Sequence, residues 1–267
     1  MGDHKNQYET IEVSVCDRVC RIMFNRPEKR NALNLTLLNE LNAALRDADA
    51  DEDVRAIVVG GNGPTFCSGV DLSEARTSFD RDLETEYEIH AWKLHTPIIG
   101  AIQGAAIGVG LTLPLQWDIR VIAEDAVLSF AFARLGLIPE AGAHWFLPRL
   151  IGASQAAELL LTGRRFSGQD AFRMGLASRA VPADQVLSDA MEIATDIATN
   201  VSPLSAAIVK RLLWEFADLG DPAAALAKEN RLLEWLSKSP DMHVGVAAAM
   251  KKQAPEWKSS KHEKLPE

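Results

Sequence analysis

The sequence predicts an α/β protein whose C-terminal part is nearly all helical, and two observations predict this class. Strand-like and helix-like segments alternate through the first half of the chain, whereas most segments after about residue 141 have helical periodicity. The composition, with 47% hydrophobic and 24% charged residues over 267 residues, supplies enough apolar side chains for one large core. We therefore expect α/β units followed by helices rather than two unrelated domains.

The predicted first half begins with a hairpin, residues 11–15 and 19–24, where β-branched residues flank Asp17-Arg18. Leucines at 37, 38, 41 and 45 have helical spacing and predict a helix over 36–50. A short apolar strand at 55–59 leads into the turn GGNGP (60–64), and another at 98–102 leads into GAAIGVG (104–110). A polar helix is predicted over 81–94 between them, and short strands follow at 119–122 and 127–130.

The predicted second half contains helices over 154–161, 168–174, 183–200, 203–219 and 222–236. The tail from residue 251 to 267 is charged, and we expect it to fray at its end.

Charge and hydropathy exclude two classes of partner. Lys and Arg total 28 against 37 Asp and Glu, a formal net charge of −9, so the basic footprint of a nucleic-acid or anionic-membrane binder is missing. Residues 96–117 carry no charge and repeat a GxxxG spacing, but Pro97 and Pro114 interrupt them. A buried strand that runs through a glycine-rich turn into a short helix fits this stretch better than a membrane helix.

The cysteines and the N-terminus favour a cytoplasmic location. Cys16, Cys20 and Cys67 cannot all pair and show no zinc spacing, so we expect reduced thiols and no metal site. The polar N-terminus shows no secretory signal. Common catalytic motifs are also missing: GGNGP does not continue as a P-loop, GAAIGVG lacks the full dinucleotide fingerprint, and neither GxSxG nor HExxH occurs.

Two segments stand out as candidates for chemistry. FCSGVDL (66–72) follows a strand and a tight turn, and GAAIGVG (104–110) follows another strand and opens a helix. Each can present free backbone N–H groups at a strand-to-helix junction, where the helix dipole favours negative charge. If the two segments converge, two N–H donors would form an oxyanion hole for a thioester enolate. The alternative is that both glycine turns serve packing alone.

The motifs of the chain, in order, resemble those of the crotonase (enoyl-CoA hydratase/isomerase) superfamily. The matching segments are NRPEKRNALN (25–34), FCSGVDL, IQGAAIGVG (102–110), WDIRVIAEDAVLSF (117–130), LGLIPEAGAHWFLPRLIG (135–152), TGRRFSGQDAFRMGLASRAV (162–181) and APEW (254–257). The resemblance implies a ββα-spiral core that binds acyl-CoA over residues 1–200. It also implies a C-terminal helical region, residues 201–267, that covers CoA and forms a homotrimer or a hexamer of two trimers.

The resemblance also implies roles for individual residues. The oxyanion donors fall on the backbone N–H groups of Val70 and Val109. The positions that match the CoA groove are Ala32, Ser68, Asp71 and Leu72, with cations from Lys29 and Arg30 and, from the C-terminal tail, Lys252. CoA is part of the substrate, so no separate cofactor is expected.

Departures from the family pattern bear on the reaction. Hydratases of the family use two glutamates, and the matching positions here are Thr112 and Phe132, which cannot together activate water and deliver a proton. Glu140 matches a carboxylate that some family isomerases carry, and migration of a double bond needs one base. Phe132 would help to exclude water, while His144 and Trp145 would shape the pocket from the following helix. Glu140 as a plain surface acid is the alternative.

Three hypotheses follow from these residues. The first is an enoyl-CoA isomerase that uses Glu140, and the second is a hydratase or another thioester-enolate enzyme that recruits Glu74 or His144. The third is a non-catalytic acyl-CoA binder. All three predict an acyl-CoA thioester ligand and neither a nucleic acid nor a membrane as partner, and none defines the acyl group.

Overall fold

The computed structural model describes residues 8–74 and 89–266, and its alternating strands and helices confirm the α/β class. The larger sheet has the strand order β1-β2-β3-β4-β6-β9, in which the β1–β2 pair is antiparallel and the other pairs are parallel. The smaller sheet has the order β5-β7-β8. The strands are Ile11–Cys16 (β1), Val19–Phe24 (β2), Ala56–Gly61 (β3), Ile98–Ile102 (β4), Ala105–Ile107 (β5), Ile119–Ala123 (β6), Val127–Ser129 (β7), Phe166–Ser167 (β8) and Arg179–Val181 (β9).

The helices dominate the C-terminal half, as predicted. Their bounds are Leu35–Ala50 (α1), Val109–Thr112 (α2), Ala143–Ile151 (α3), Ala153–Thr162 (α4), Gly168–Met174 (α5), Val186–Asn200 (α6), Pro203–Phe216 (α7), Pro222–Leu236 (α8) and Pro240–Lys251 (α9). Short 3-10 turns lie between them at Pro27–Lys29, Leu72–Glu74, Ala91–Lys93, Leu113–Gln116, Ala131–Leu135 and Ala183–Gln185.

The hairpin and the first helix form where the local sequence favours them. Asp17 and Arg18 both have positive φ, as a two-residue type I′ turn requires, and residues 11–16 pair with 19–24 in register. The side chain of Asn34 caps α1 by accepting a hydrogen bond from the N–H of Leu37 at 2.9 Å.

One core fills the α/β part of the chain. Strands β3 and β4 are buried along their whole length, as expected for parallel strands covered on both faces. Helix α1 packs against β1 and β2, and α6 packs against β2, β3, β4 and β6. A small separate apolar cluster joins α7 to α8 through Leu204, Ile208 and Leu232.

Several boundaries differ from the sequence predictions. Gly60 and Gly61 extend β3 instead of starting a turn, because both pair with β2 at places where a Cβ would meet a neighbouring atom at 2.9 Å. The predicted helix over 81–94 lies largely outside the described residues, and its last part contains only the 3-10 turn Ala91–Lys93. Helix α7 ends at Phe216 rather than at residue 219.

The C-terminal tail, which we expect to fray at its end, is held on the protein at Lys261. Lys261 is 3% exposed, and its ammonium donates to backbone oxygens of Ala48, Asp51 and Val54 and to Oγ1 of Thr96. These bonds fasten the tail across the end of α1. Within the described ranges, we find no helix of the length and hydrophobicity that crossing a membrane requires.

Candidate active site

The loop 66–72 is held in place by backbone hydrogen bonds on both of its sides. The N–H of Leu33 donates to the carbonyl of Gly69, and the N–H of Asp71 donates to the carbonyl of Leu33, both at 2.8 Å. On the other side, the N–H of Phe66 donates to the carbonyl of Gln103 at 2.9 Å. The loop is therefore a bridge between the segment after β2 and the glycine-rich turn after β4.

The two glycine-rich segments converge, as the oxyanion hypothesis requires. Cys67 pairs with Ala106 in a parallel bridge, in which the N–H of Cys67 donates to the carbonyl of Ala105 and the N–H of Ile107 donates to the carbonyl of Cys67, each at 3.0 Å. Gly110 packs so closely on this bridge that a Cβ there would lie 2.5 Å from the carbonyl oxygen of Cys67. A side chain at position 110 would push the two segments apart.

Each predicted donor follows a glycine in a left-handed conformation. Gly69 (φ +106) precedes Val70, and Gly108 (φ +56) precedes Val109, a backbone geometry that glycine adopts without strain. Neither N–H of the two valines has a hydrogen-bond acceptor among residues 8–74 and 89–266. Val109 is also the first residue of α2, where the backbone N–H has no partner within the helix. Both N–H groups are therefore available to a ligand.

Glu140 lies half-buried just before α3, and the two residues that follow it have positive φ. Ala141 has φ +55, a conformation unusual for a residue with a side chain, and Gly142 has φ +73. The side chain of Gln116 donates to the carbonyl of Ala141 at 2.9 Å. Because Gln116 ends the turn that continues α2, this bond ties the Glu140 loop to the segment that starts with Val109.

Phe132 and Thr112 occupy the two positions that match the glutamates of hydratases in the family that the sequence resembles. Both are buried. Phe132 is 8% exposed, and its ring lies 3.7 Å from the place where a Cβ on Gly108 would be. Thr112 is fully buried, and its hydroxyl has no partner among the described residues. The second glycine turn is thus faced by an aromatic ring and followed, one helical turn later, by a neutral hydroxyl.

Asp71, predicted to bind substrate, is engaged within the protein. It accepts hydrogen bonds from the backbone N–H and the hydroxyl of Ser73 and forms an ion pair with Arg26 at 3.0 Å. These bonds, that of the Ser73 hydroxyl most of all, hold the pKa of Asp71 below its usual value. Arg26 also donates to the carbonyl of Ala32, so the pair braces the 26–33 segment against loop 66–72.

The remaining predicted groove residues lie on these two braced segments. The N–H of Ser68 donates to the carbonyl of Arg30 at 3.1 Å, and Lys29 and Arg30 are exposed on a turn where Arg30 has φ +51. Neither of these two cations forms an ion pair with a described residue. Ala32 is buried, whereas Leu72 is 64% exposed. The structure therefore brings most of the predicted groove together.

Other predicted residues are less closely connected to this groove. His144 is exposed in the first turn of α3, four residues after Glu140. Lys252 ends α9 with φ +52, is exposed, and makes no side-chain bond to the described residues. The side chain of Glu74 lies outside the part of the chain that the structure describes.

A cavity lies beside the Glu140 loop, and of the two residues predicted to shape the pocket from α3, Trp145 lines it and His144 does not. It has a volume of about 630 Å³ between the turn Ala91–Lys93, α3 and α7, and Gly142 belongs to its wall. The ring of Phe146 lies 4.8 to 5.4 Å from three indoles that also line it, those of Trp92, Trp145 and Trp214. Sequence reasoning pointed to Trp145 alone, because the other aromatic residues of the wall come from separate segments that no local pattern connects.

Comparisons with known proteins all point to one family. The profile of the enoyl-CoA hydratase/isomerase family matches residues 15–261. Enoyl-CoA hydratase ACTT3 of Alternaria alternata is 35% identical over 254 residues, which cover 92% of this chain and 85% of that protein.

Two solved structures extend the similarity to the fold. The crystal structure of a probable enoyl-CoA hydratase/isomerase from Mycobacterium abscessus superposes with a TM-score of 0.89 at 40% identity and covers 94% of this chain and 99% of its own. That of enoyl-CoA hydratase from Bacillus anthracis superposes with a TM-score of 0.85 at 32% identity, covering 93% and 99%.

Proposed function

The chain belongs to the enoyl-CoA hydratase/isomerase family of the crotonase superfamily, and from this premise we propose that it moves the double bond of an enoyl-CoA, with Glu140 as the acid–base group. The observation that carries the proposal is the set of side chains around the second glycine turn. Glu140 is half-buried on a loop that is bonded to the same segment, whereas Phe132 and Thr112 offer no carboxylate.

The proposed reaction needs only this one carboxylate. Glu140 takes a proton from C2 of a 3-enoyl-CoA; the electron pair of the C2–H bond forms a double bond between C1 and C2, and the π pair of the carbonyl moves onto the thioester oxygen, which gives a dienolate with the C3–C4 double bond. The backbone N–H groups of Val70 and Val109 donate to that oxygen and stabilise its charge. Glu140 then returns the proton at C4, which leaves the double bond between C2 and C3 and does not change the mass of the substrate.

The surroundings of the turn support proton transfer without hydration. The ring of Phe132 lies against Gly108, where it excludes water from the face next to the oxyanion donors. Asp71, the other carboxylate of the groove, is ionised and held by Arg26 and Ser73, so it has neither a proton to give nor a free position to act as base.

The ligand groove is proposed from the same contacts. Lys29 and Arg30 would bind the CoA phosphates, and Ala32, Ser68 and Leu72 would line the path to the oxyanion donors. The aromatic cavity that begins at Gly142 would take the distal part of the acyl group. Lys252 could reach CoA from a neighbouring subunit.

A homotrimer, or a hexamer of two trimers, is proposed for the assembly, with residues 201–267 as the contact region. Helices α7 to α9 expose several large apolar side chains, and exposed apolar patches of this kind often mark contacts with a partner. These side chains are Val209, Leu213, Leu226, Leu233, Val246 and Met250. A symmetric oligomer would cover them.

Hydration is the second candidate, because the relatives ACTT3 and the Bacillus anthracis protein are named hydratases. The buried Thr112 hydroxyl, which has no partner among the described residues, could position a water molecule. A hydratase would then need Glu140 to serve both as base and as acid, or a second group such as Glu74 or His144.

The experiment compares wild type, Glu140→Gln and the matched control Glu124→Gln, an exposed glutamate at the end of β6. Each receives a 3-enoyl-CoA and a 2-enoyl-CoA separately, and products are identified by chromatography and mass. We expect conversion of the 3-enoyl to the 2-enoyl isomer, a loss of roughly 10² to 10⁴-fold in Glu140→Gln, and retained acyl-CoA binding.

The other outcomes overturn the proposal in distinguishable ways. A product heavier by one water from the 2-enoyl substrate identifies a hydratase. Tight acyl-CoA binding with no turnover of either substrate identifies a non-catalytic binder. Isomerisation that persists in Glu140→Gln shows that the base is another residue.

A further inference from the structure

Three side chains that are far apart in the sequence meet where the C-terminal tail crosses the end of α1. They are Asp49 near the end of α1, His95 just before β4, and His262 in the tail, and one donor atom from each lies within 4.8 Å of the other two. We propose that this Asp49–His95–His262 cluster binds a divalent transition-metal ion, with Zn²⁺ as the ion that its donors fit. His95 also lines the aromatic cavity beside the Glu140 loop, but the proposal does not depend on the reaction.

The carboxylate of Asp49 is already oriented as a ligand. Its Oδ1 accepts the backbone N–H groups of His95 at 2.9 Å and Thr96 at 2.8 Å, and Asp49 is 8% exposed. The other oxygen, Oδ2, lies 3.2 Å from Nδ1 of His95. A buried carboxylate that is fixed by two backbone donors loses little conformational freedom when it binds an ion.

The two imidazoles complete the donor set. Their ring centroids are 4.5 Å apart, and Nε2 of His262 lies 2.8 Å from the backbone oxygen of Asp49, which holds the ring beside the carboxylate. Both histidines are exposed, so water molecules can occupy the remaining coordination positions. Two imidazole nitrogens with one carboxylate oxygen are donors that suit Zn²⁺ better than Ca²⁺ or Mg²⁺.

The distances allow coordination after a small movement. Bonds of about 2.0 to 2.2 Å in a tetrahedral site place donors roughly 3.4 Å apart. The pair of Asp49 Oδ2 and His95 Nδ1, at 3.2 Å, matches this spacing, and no pair of donor atoms in the cluster is more than 4.8 Å apart. An exposed histidine ring can close a remaining gap of at most about 1.4 Å by a change of side-chain torsion.

Lys261 sets the expected strength of the site. Its ammonium group lies next to the cluster, bonded to Oγ1 of Thr96 at 2.8 Å and to the backbone oxygen of Ala48 at 3.3 Å. A positive charge at this position repels a second cation, so we expect binding in the micromolar range rather than tighter. A bound ion would join the tail, α1 and β4 at one point and would stabilise the folded chain by mass action.

The experiment titrates the chelator-treated full chain, without an affinity tag, with Zn²⁺ by calorimetry and with Co²⁺ by visible absorption. The variants are His95→Ala, His262→Ala and the matched control His243→Ala, an exposed histidine on α9 outside the cluster. We expect one ion per chain in wild type and His243→Ala, and a loss of about tenfold or more in affinity in each cluster variant.

Two further measurements distinguish loss of the metal site from failure of a variant to fold. Circular dichroism must show the same spectrum for all variants, and Zn²⁺ must raise the unfolding temperature of wild type and His243→Ala but not of His262→Ala. The proposal is overturned if no saturable binding occurs, or if stoichiometric binding survives both cluster substitutions. It is also overturned if His243→Ala loses the ion as the cluster variants do.

Discussion

Gly110→Ala tests whether the packing of the two glycine turns positions the oxyanion donors. Alanine is normally the better helix former, worth about 0.5 to 1 kcal/mol over glycine, so a loss cannot come from helix propensity. At this position, however, the new Cβ would lie 2.5 Å from the carbonyl oxygen of Cys67, whereas ordinary contact starts at 3.4 Å. The two turns must therefore separate by roughly 0.9 Å.

The size of the effect follows from that displacement. The carbonyl of Cys67 also accepts the N–H of Ile107 at 3.0 Å, so a shift moves the loop that leads to Val70 away from the turn that leads to Val109. A misplacement of about 1 Å in a catalytic arrangement costs on the order of 10²-fold in rate, similar to the loss of one oxyanion donor. Overpacking of this kind also costs about 1 to 3 kcal/mol in the free energy of unfolding.

The assay measures kcat and KM on the enoyl-CoA that the wild-type enzyme turns over, together with urea unfolding. The matched control is Gly220→Ala, since Gly220 lies before α8 with open space around its Cβ position and without a positive φ. We expect wild-type kcat in the control and a fall of about 10²-fold in Gly110→Ala. A folded Gly110→Ala variant with wild-type kcat would refute the argument that this contact sets the donors.

Thiol reactivity and assembly give two more predictions. Burial raises the pKa of Cys20 to about 12 and that of Cys67 to about 11. Near neutral pH, we therefore expect only the exposed Cys16 to react with a disulfide reagent until the chain unfolds. Rapid reaction of a second thiol in the native protein would contradict the structure. Light scattering should give a mass of about 88 kDa for a trimer of 29.2 kDa chains, or twice that mass for a hexamer. Leu213→Asp should lower the mass, because it places a charge on the exposed apolar surface of α7. A monomeric wild type would contradict the proposed assembly.

Much of the fold could be predicted because its signals are local. The leucine spacing of α1 reflects the one face that the helix buries, and the apolar run of β4 reflects a strand that is buried along its whole length. The structure has both elements within one or two residues of the predicted bounds. The start of α9 also has a local signal, since Ser239 caps the helix and Pro240 opens it, although its bounds were not predicted. The tail could not be predicted, because the acceptors of Lys261 are oxygens of residues 48–54 and 96.

The candidate site, like the fold, has features that local sequence predicts and features that depend on distant contacts. The two glycines before Val70 and Val109 mark the donor turns in the sequence, since positive φ is a property of the local backbone. Their convergence depends on the bridge between Cys67 and Ala106, which no local pattern reveals. The aromatic cavity and the Asp49–His95–His262 cluster have the same origin: each gathers side chains from three or more distant segments, so neither leaves a spacing in the sequence.

The contrast between backbone donors and side-chain acids or bases explains how one fold can serve different reactions. The proposed oxyanion donors are backbone groups, so we expect substitutions at Val70 or Val109 to leave the N–H groups in place as long as the glycine turns keep their shape. The reaction then depends on which nearby positions carry an acid or a base. With phenylalanine at 132 and threonine at 112, the proposed mechanism relies on Glu140 to move protons. A single carboxylate can transfer a proton between two carbons of one substrate more readily than it can both activate water and protonate carbon.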